Sequence, residues 1–146
     1  MKKSLTLISI FIATLFLDIY TKKIANKNLT LNKNYNIYKN LNLRLTKNKG
    51  AMLNSFSNHR TFLLLTNLFI FILLSFFIKN AYIEDNLINL IGATLIFSGG
   101  VGNNIERLKN KEVTDFLYIN FKKLPIFNVA DVLILTGIIV LFLNEI

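Results

Sequence analysis

The chain has 146 residues, of which 53% are hydrophobic, yet it carries a formal net charge of +9. Its mean hydropathy of +0.47 is rarely reached by a soluble domain of this size, because polar residues must cover the core of such a domain. It contains no cysteine and one histidine, which excludes disulfides, thiolate chemistry and metal sites built from several histidines or cysteines. We therefore expect apolar segments joined by basic loops that meet lipid head groups rather than nucleic acid, with no cofactor and no metal.

Four apolar segments follow one another along the chain. They run from about Leu5 to Leu17, Thr61 to Ile78, Leu87 to Val101 and Val129 to Leu143. A helix needs about 20 mainly apolar residues to cross the hydrocarbon core, with about 17 as the lower limit. The second segment meets this length, and the others meet it if their polar ends reach the interface. We predict one all-α membrane domain over residues 1–146, with spans at about 4–22, 60–79, 87–105 and 128–144.

The two long loops carry the pattern of β-strands. Leucines alternate with polar residues over 41–46, which is the period of a half-buried strand, and residues 35–37 indicate a partner strand. Residues 113–121, after the third segment, are also rich in strand formers. The loops are therefore predicted to form a small β-sheet on the membrane, with a turn at 48–50.

The basic residues are distributed unevenly between the two ends of the predicted bundle. Of the 17 Lys and Arg residues, only Lys2, Lys3 and Lys79 lie on the side that holds both termini, and the other 14 lie on the side of the long loops. The positive-inside rule taken alone places the long loops in the cytoplasm.

Four of the 8 acidic residues flank predicted spans on the side of the long loops. They are Asp18, Glu106, Asp115 and Asp131. Carboxylates at membrane depth are costly and are usually paired or functional. Their position at one end favours a peptidase site over a proton- or ion-coupled transporter, whose acids would be spread across the membrane. A non-catalytic membrane scaffold is a further alternative, but it gives no reason for the aspartates beside the fourth span.

The two aspartates nearest the fourth segment also have structural interpretations. Asp131 lies three residues after Asn128, as in a capping box at a helix start, and the sequence supports this role and a catalytic role about equally. Asp115 alone in a short strand is more often a solvated turn residue. Its apolar neighbours at 116–119 would raise the pKa of its carboxyl group.

Three pairs lie four residues apart and are predicted to share helix faces. Asp18 and Lys22 are typical of a structural ion pair, and Ser98 and Gly102 of close helix packing. Asn103 and Arg107 form the third pair. Arg107 is either an interfacial arginine whose head group reaches water or a partner of a nearby carboxylate.

The order of these signals resembles the lipoprotein signal peptidases (signal peptidase II) over essentially the whole chain. Five segments are similar to the family's motifs in the right order: Leu17-Asp18-Ile19-Tyr20-Thr21-Lys22, Asn48-Lys49-Gly50-Ala51, Gly102-Asn103-Asn104-Ile105-Glu106-Arg107, Val113-Thr114-Asp115-Phe116 and Phe127-Asn128-Val129-Ala130-Asp131. The chain departs from the family where Glu106 replaces an Asp, Ser98 replaces a Gly, and Met52 and Leu53 replace an Ala and an aromatic residue.

The resemblance implies a four-transmembrane-helix bundle with a small β-sheet in its extracytoplasmic loops. It places the protein in the bacterial cytoplasmic (inner) membrane, with the active site toward the extracytoplasmic side, and we follow it against the charge distribution. The implied activity is that of an aspartyl endopeptidase that removes the signal peptide from diacylglyceryl-prolipoproteins by cleaving just before the lipidated cysteine. Its partners are then lipidated prolipoproteins and membrane phospholipid.

The resemblance also implies a role for each matching residue. The catalytic pair is Asp115 and Asp131. The substrate-binding residues are Asn48, Gly50, Asn103, Arg107 and Asn128. The residues that support the site structurally are Asp18, Lys22 and Glu106. Paired carboxylates are also what the composition leaves for peptide hydrolysis without a metal, a thiol or a histidine triad.

Overall fold

The computed structural model describes residues 2–51, 55–57, 59–121 and 124–144. Within them the elements are α1 (Lys2–Asn28), β1 (Asn34–Tyr38), β2 (Leu41–Asn48), α2 (Arg60–Ile83), α3 (Leu87–Asn110), β3 (Val113–Ile119) and α4 (Val129–Asn144). A helix thus lies at each apolar segment, and strands lie in both long loops as predicted. Met52 and Leu53 fall outside the described residues.

Two of these helices have the length and hydropathy of membrane spans. α1 has 27 residues and α2 has 24, with mean hydropathies of 1.8 and 2.5 over 18-residue windows. α4 is apolar but shorter, at 16 residues. Large apolar side chains such as Leu5, Ile12, Phe69 and Phe76 are exposed on the outer faces of α1 and α2. Such surfaces are suited to contact with lipid.

α3 lies at the centre and packs against the other three helices. Its small residues permit close approach: a Cβ atom added to Gly99 would collide with the backbone of α4, and one added to Gly137 of α4 would collide with the carbonyl of Gly92. Ser98 forms a 2.7 Å hydrogen bond with the hydroxyl of Thr14 in α1. The predicted packing through small residues is therefore confirmed.

The sheet is antiparallel, with the strand order β1-β2-β3. Its inner face is closed by a small core in which Leu45 and Phe116 pack with Ala25, near the end of α1. β3 is also paired on its other side, where Leu117 and Phe127 exchange backbone hydrogen bonds of 2.8 and 2.9 Å. These contacts place Asp115 over one end of the helices and beside the residues that begin α4.

Candidate active site

Asn128 and Asp131 form a reciprocal capping box at the start of α4. The Asn128 side-chain oxygen accepts from the Asp131 backbone N–H (3.0 Å), and Asp131 Oδ2 accepts from the Asn128 backbone N–H (3.1 Å). Such caps stabilise a helix by about 0.5–2 kcal/mol. The structural interpretation of Asp131 is therefore correct. It leaves Oδ1 of Asp131 directed at Asn103, whose amide nitrogen donates to it at 2.9 Å.

Asp115 is buried, at 3% exposure, and accepts two amide hydrogen bonds. Asn128 Nδ2 donates to its Oδ1 at 2.7 Å, and Asn48 Nδ2 donates to its Oδ2 at 3.0 Å. Burial raises the pKa of the Asp115 carboxyl to about 6, the hydrogen bond from Asn48 opposes this increase, and the charge of Asp131 adds to it. Asp115 is thus not the solvated turn residue that its position in a short strand suggested.

Asn128 connects the two carboxylates directly. Its side-chain amide contacts Asp115 and its backbone N–H contacts Asp131, and the same amide donates to Asn103 Oδ1 at 3.2 Å. Asn128 is itself fully buried. Any movement of this side chain would therefore change the positions of both aspartates.

Lys22 is a buried cation (2% exposed) that orients the amide of Asn103. Its Nζ donates to Asp18 Oδ2 and to Asn103 Oδ1, both at 2.8 Å, and lies 3.6 Å from Glu106 Oε2. Because the ammonium contacts the amide oxygen of Asn103, the amide nitrogen is directed at Asp131. A buried cation is tolerated only with such compensation.

Asp18 joins α1 to the start of α4. It is fully buried, and its Oδ1 accepts from the backbone N–H of Ala130 at 2.9 Å. A carboxylate is stabilised near a helix N-terminus, where backbone N–H groups are unpaired and the helix dipole is positive. Asp18 and Lys22 form the predicted ion pair, and through it they hold the helix that carries Asp131.

Glu106 contacts the strand that carries Asp115. Its two carboxylate oxygens accept from the backbone N–H and the hydroxyl of Thr114, both at 2.8 Å. The Thr114 hydroxyl also lies 3.1 Å from the Asn26 amide nitrogen and 3.0 Å from the Lys47 ammonium. Glu106 thereby fixes the residue that immediately precedes Asp115.

No role in the site was predicted from the sequence for Thr114, Asn26 or Lys47. A signal for Asn26 was present, because it lies four residues after Lys22 and eight after Asp18, on the same face of α1. No comparable signal marks Thr114 or Lys47, because their contacts depend on the pairing of β2 with β3.

Arg107 points inward from α3 toward the loop after β2. Its Nη2 donates to the carbonyl of Gly50 at 2.8 Å, and the Gly50 N–H donates to Asn48 Oδ1 at 2.9 Å. The buried Nε of Arg107 has no hydrogen-bond partner among the described residues. Gly50 therefore positions Arg107 through its backbone carbonyl.

A cavity of about 500 Å³ opens at these side chains and is called the α4 cavity below. Its polar end is formed by Asn48, Asn103, Arg107, Asp115 and Asp131. Its remaining wall is apolar and includes Val132, Ile134, Leu135 and Ile138 of α4 together with Pro125 and Phe127. The other two predicted substrate-binding residues, Gly50 and Asn128, contact these polar side chains from the side away from the cavity.

Known proteins resemble this chain over nearly its whole length. Residues 10–146 match the family model described as signal peptidase (SPase) II. The chain belongs to the signal peptidase II family. A lipoprotein signal peptidase of Lactococcus lactis subsp. lactis (strain IL1403) is 33% identical over 144 residues, covering 98% of this chain and 94% of that protein. One from Staphylococcus haemolyticus (strain JCSC1435) is 34% identical over 132 residues, covering 88% and 82%.

Two solved structures described as bacterial membrane enzymes share the fold. The first has a TM-score of 0.88 at 31% identity, covering 96% of this chain and 87% of the other. The second has a TM-score of 0.86 at 31% identity, covering 97% and 92%. As a member of the signal peptidase II family, the protein is a membrane hydrolase that processes prolipoproteins.

Gly102 allows α3 to lie against Asp18, which makes it sensitive to substitution. A Cβ atom at this position would collide with Asp18 Oδ2, which is bonded to Lys22. We expect Gly102→Ala to lower the melting temperature in detergent and to reduce peptidase activity at least tenfold, because Asp18 must move. At Gly100 an added Cβ meets only the edge of the Phe71 ring, so Gly100→Ala is the matched control. Equal effects of the two substitutions would contradict this role of Gly102.

Proposed function

We propose that Asp115 and Asp131 are the catalytic dyad of an aspartyl endopeptidase that acts on diacylglyceryl-prolipoproteins. The observation that carries the proposal is that Asn128 contacts both carboxylates at the polar end of an otherwise apolar cavity. Two neighbouring carboxylates in such a setting share one proton more readily than they both ionise. This is the arrangement that peptide hydrolysis by general acid–base chemistry requires.

The two aspartates have complementary roles: one activates water and the other protonates the substrate. The ionised carboxylate takes a proton from water, whose oxygen bonds to the scissile carbonyl carbon, while the protonated carboxyl donates to the carbonyl oxygen. The tetrahedral intermediate then collapses: the C–N bond breaks, one aspartate gives its proton to the leaving amine of the lipidated cysteine, and the other takes a proton back from a hydroxyl of the intermediate, so the dyad again holds one proton. The raised pKa of Asp115 favours this residue as the carrier of the shared proton, although the pair titrates as one unit.

The polar groups around the dyad are suited to bind substrate main chain. The charge of the Arg107 guanidinium interacts with both aspartates, and Arg107 lines the α4 cavity together with Asn48 and Asn103. We assign the substrate-binding role to these three side chains, with Gly50 and Asn128 positioning them. Lys22, Asp18 and Glu106 support the site structurally through the contacts described above.

The membrane arrangement follows from the position of the dyad at one end of the helices. We propose four spans, with the apolar α4 cavity open to the acyl chains of the substrate and surrounding phospholipid. The active site would face the extracytoplasmic side of the cytoplasmic membrane. A reporter at the C-terminus should then be active in the cytoplasm, and an external reporter would contradict this orientation.

The substrate assignment is tested with purified protein and a synthetic prolipoprotein peptide, with and without diacylglycerol on its cysteine. We expect mass spectrometry to show one cut, immediately before the cysteine, in the lipidated peptide only. The apolar wall of the α4 cavity supports this expectation, because acyl chains would be bound there. Efficient cleavage of the unlipidated peptide, or cleavage elsewhere, would contradict the proposed specificity.

The pH dependence of cleavage should follow the titration of the Asp115–Asp131 pair. Because the active form carries one shared proton, kcat/KM should fall as the pH rises through an apparent pKa of about 6. The hydrogen bond from Asn48 stabilises the ionised form of Asp115, so Asn48→Ala should move this alkaline limb to higher pH. The exposed Asn34 on β1 provides the control variant Asn34→Ala. A limb that stays in place or moves to lower pH would contradict the assignment.

A further inference from the structure

A second cavity, of about 400 Å³, adjoins the first. The two share the lining residues Asn48, Asp115, Pro125 and Ile126, so they meet at Asp115. The residues that line only the second cavity are Leu31, Asn32, Thr46 and Lys47. We call it the edge cavity, because Thr46 and Lys47 lie on the edge of β2.

The linings of the two cavities differ in chemistry. The α4 cavity continues along Val132, Leu135 and Ile138, which are apolar. Of the four residues that line only the edge cavity, Asn32, Thr46 and Lys47 are polar and Leu31 is apolar. A peptide bond placed at Asp115 would therefore have an apolar environment on one flank and a more polar environment on the other.

Beside this cavity, no described strand pairs with the outer edge of β2. β1 pairs with β2 from Leu41 to Arg44, and Leu31 forms a bridge to Leu45, so beyond Leu45 the described partners of β2 are those of β3. Lys47 lies opposite Thr114, whose N–H donates to Glu106 and not to Lys47.

The Lys47–Thr114 pair is therefore a non-hydrogen-bonded pair, in which the backbone N–H and C=O groups of each residue point away from the partner strand. The N–H and C=O of Lys47 then face the edge cavity. The carbonyl of Leu45, two residues earlier, faces the same edge and accepts from the Asn32 N–H at 2.9 Å.

We propose that the edge cavity binds the substrate segment on the carboxyl side of the scissile bond, as an extended strand added to β2 at Lys47. Strand addition at a free edge supplies main-chain hydrogen bonds that are largely independent of side chains. The ligand is thus a polar, extended peptide of variable sequence, whereas the signal segment and the acyl chains occupy the α4 cavity. The inference rests on the proposed function of the dyad.

The test is a scan of N-methylated substrates. In synthetic diacylglyceryl-prolipoprotein peptides, one backbone amide at a time is methylated from the second to the fifth residue after the cysteine. A strand added at Lys47 has one amide that donates to the Lys47 carbonyl, so kcat/KM should fall about tenfold when that amide is methylated and stay near that of the parent peptide at the other positions. A peptide truncated directly after the cysteine should lose a similar factor.

Two results would overturn the inference while leaving the dyad intact: equal cleavage of all methylated peptides, or full activity on the truncated peptide. The unmethylated parent peptide serves as the reference in each series. If the wild-type enzyme did not cleave this parent, the proposed function would itself be wrong and the inference would fall with it.

Discussion

Replacement of either Asp115 or Asp131 by asparagine is expected to lower kcat by about 10³-fold, because general acid–base groups contribute about 10²–10⁴. Asparagine has nearly the same shape as aspartate and keeps one oxygen to accept from Asn48, Asn103 or Asn128. It can neither take a proton from water nor share one with its partner. The loss should therefore appear in kcat of lipidated-peptide cleavage. A modest fall in melting temperature should accompany it, because the donor that faced the second oxygen loses its acceptor.

The folded state of these variants is checked by their melting temperatures in detergent. Glu84→Gln is the matched control, because it also replaces a carboxylate by an amide but follows α2 at the opposite end of the helices. It should cleave at the wild-type rate. An aspartate variant that retains near-normal cleavage while inserted in the membrane would remove that residue from the dyad.

Lys22→Met should cause the largest loss of stability of any single substitution in the site. It removes the cation that contacts Asp18, Asn103 and Glu106 and leaves Asp18 fully buried without its ion-pair partner. Removal of one partner of a buried ion pair costs about 3–5 kcal/mol. We expect a corresponding fall in the free energy of unfolding, together with loss of activity because Asn103 is no longer oriented toward Asp131.

The double variant Asp18→Asn/Lys22→Met separates charge from shape. It removes both charges of the pair, so it should be more stable than Lys22→Met alone. An asparagine at 18 can still accept from the Ala130 N–H through its oxygen. A double variant that is less stable than Lys22→Met would show that the unpaired charge of Asp18 is not the source of the loss.

Much of this site was predictable because its contacts are local or lie in motifs. The capping box of Asn128 and Asp131 spans three residues, and the pair of Asp18 and Lys22 spans one helical turn. The alternation of leucines in β2 predicted the strand and the burial of Leu45, but not the buried face as a whole, because Leu41 is exposed and Asn42 is buried. Local geometry determines each of these features, so a single sequence is enough to propose them.

The remaining contacts depend on packing between distant elements. The direction of the Asn103 amide follows from Lys22, 81 residues away, and the setting of Asp115 follows from Asn48, 67 residues away. The burial of Asp115 depends on how β3 lies over α1, which no local pattern specifies. The residues alone therefore left its catalytic role open, and the order of the motifs was needed to favour it.

The dependence of the two aspartates on each other is the central claim, and single-turnover cleavage by the double variant Asp115→Asn/Asp131→Asn tests it most directly. Residues that act as one unit lose activity together, so the double variant should be slower than wild type by about 10³-fold, close to either single variant. The substrate is the lipidated prolipoprotein peptide, and the Glu84→Gln protein sets the reference rate. A loss equal to the product of the two single losses would show that Asp115 and Asp131 act independently and would contradict the dyad.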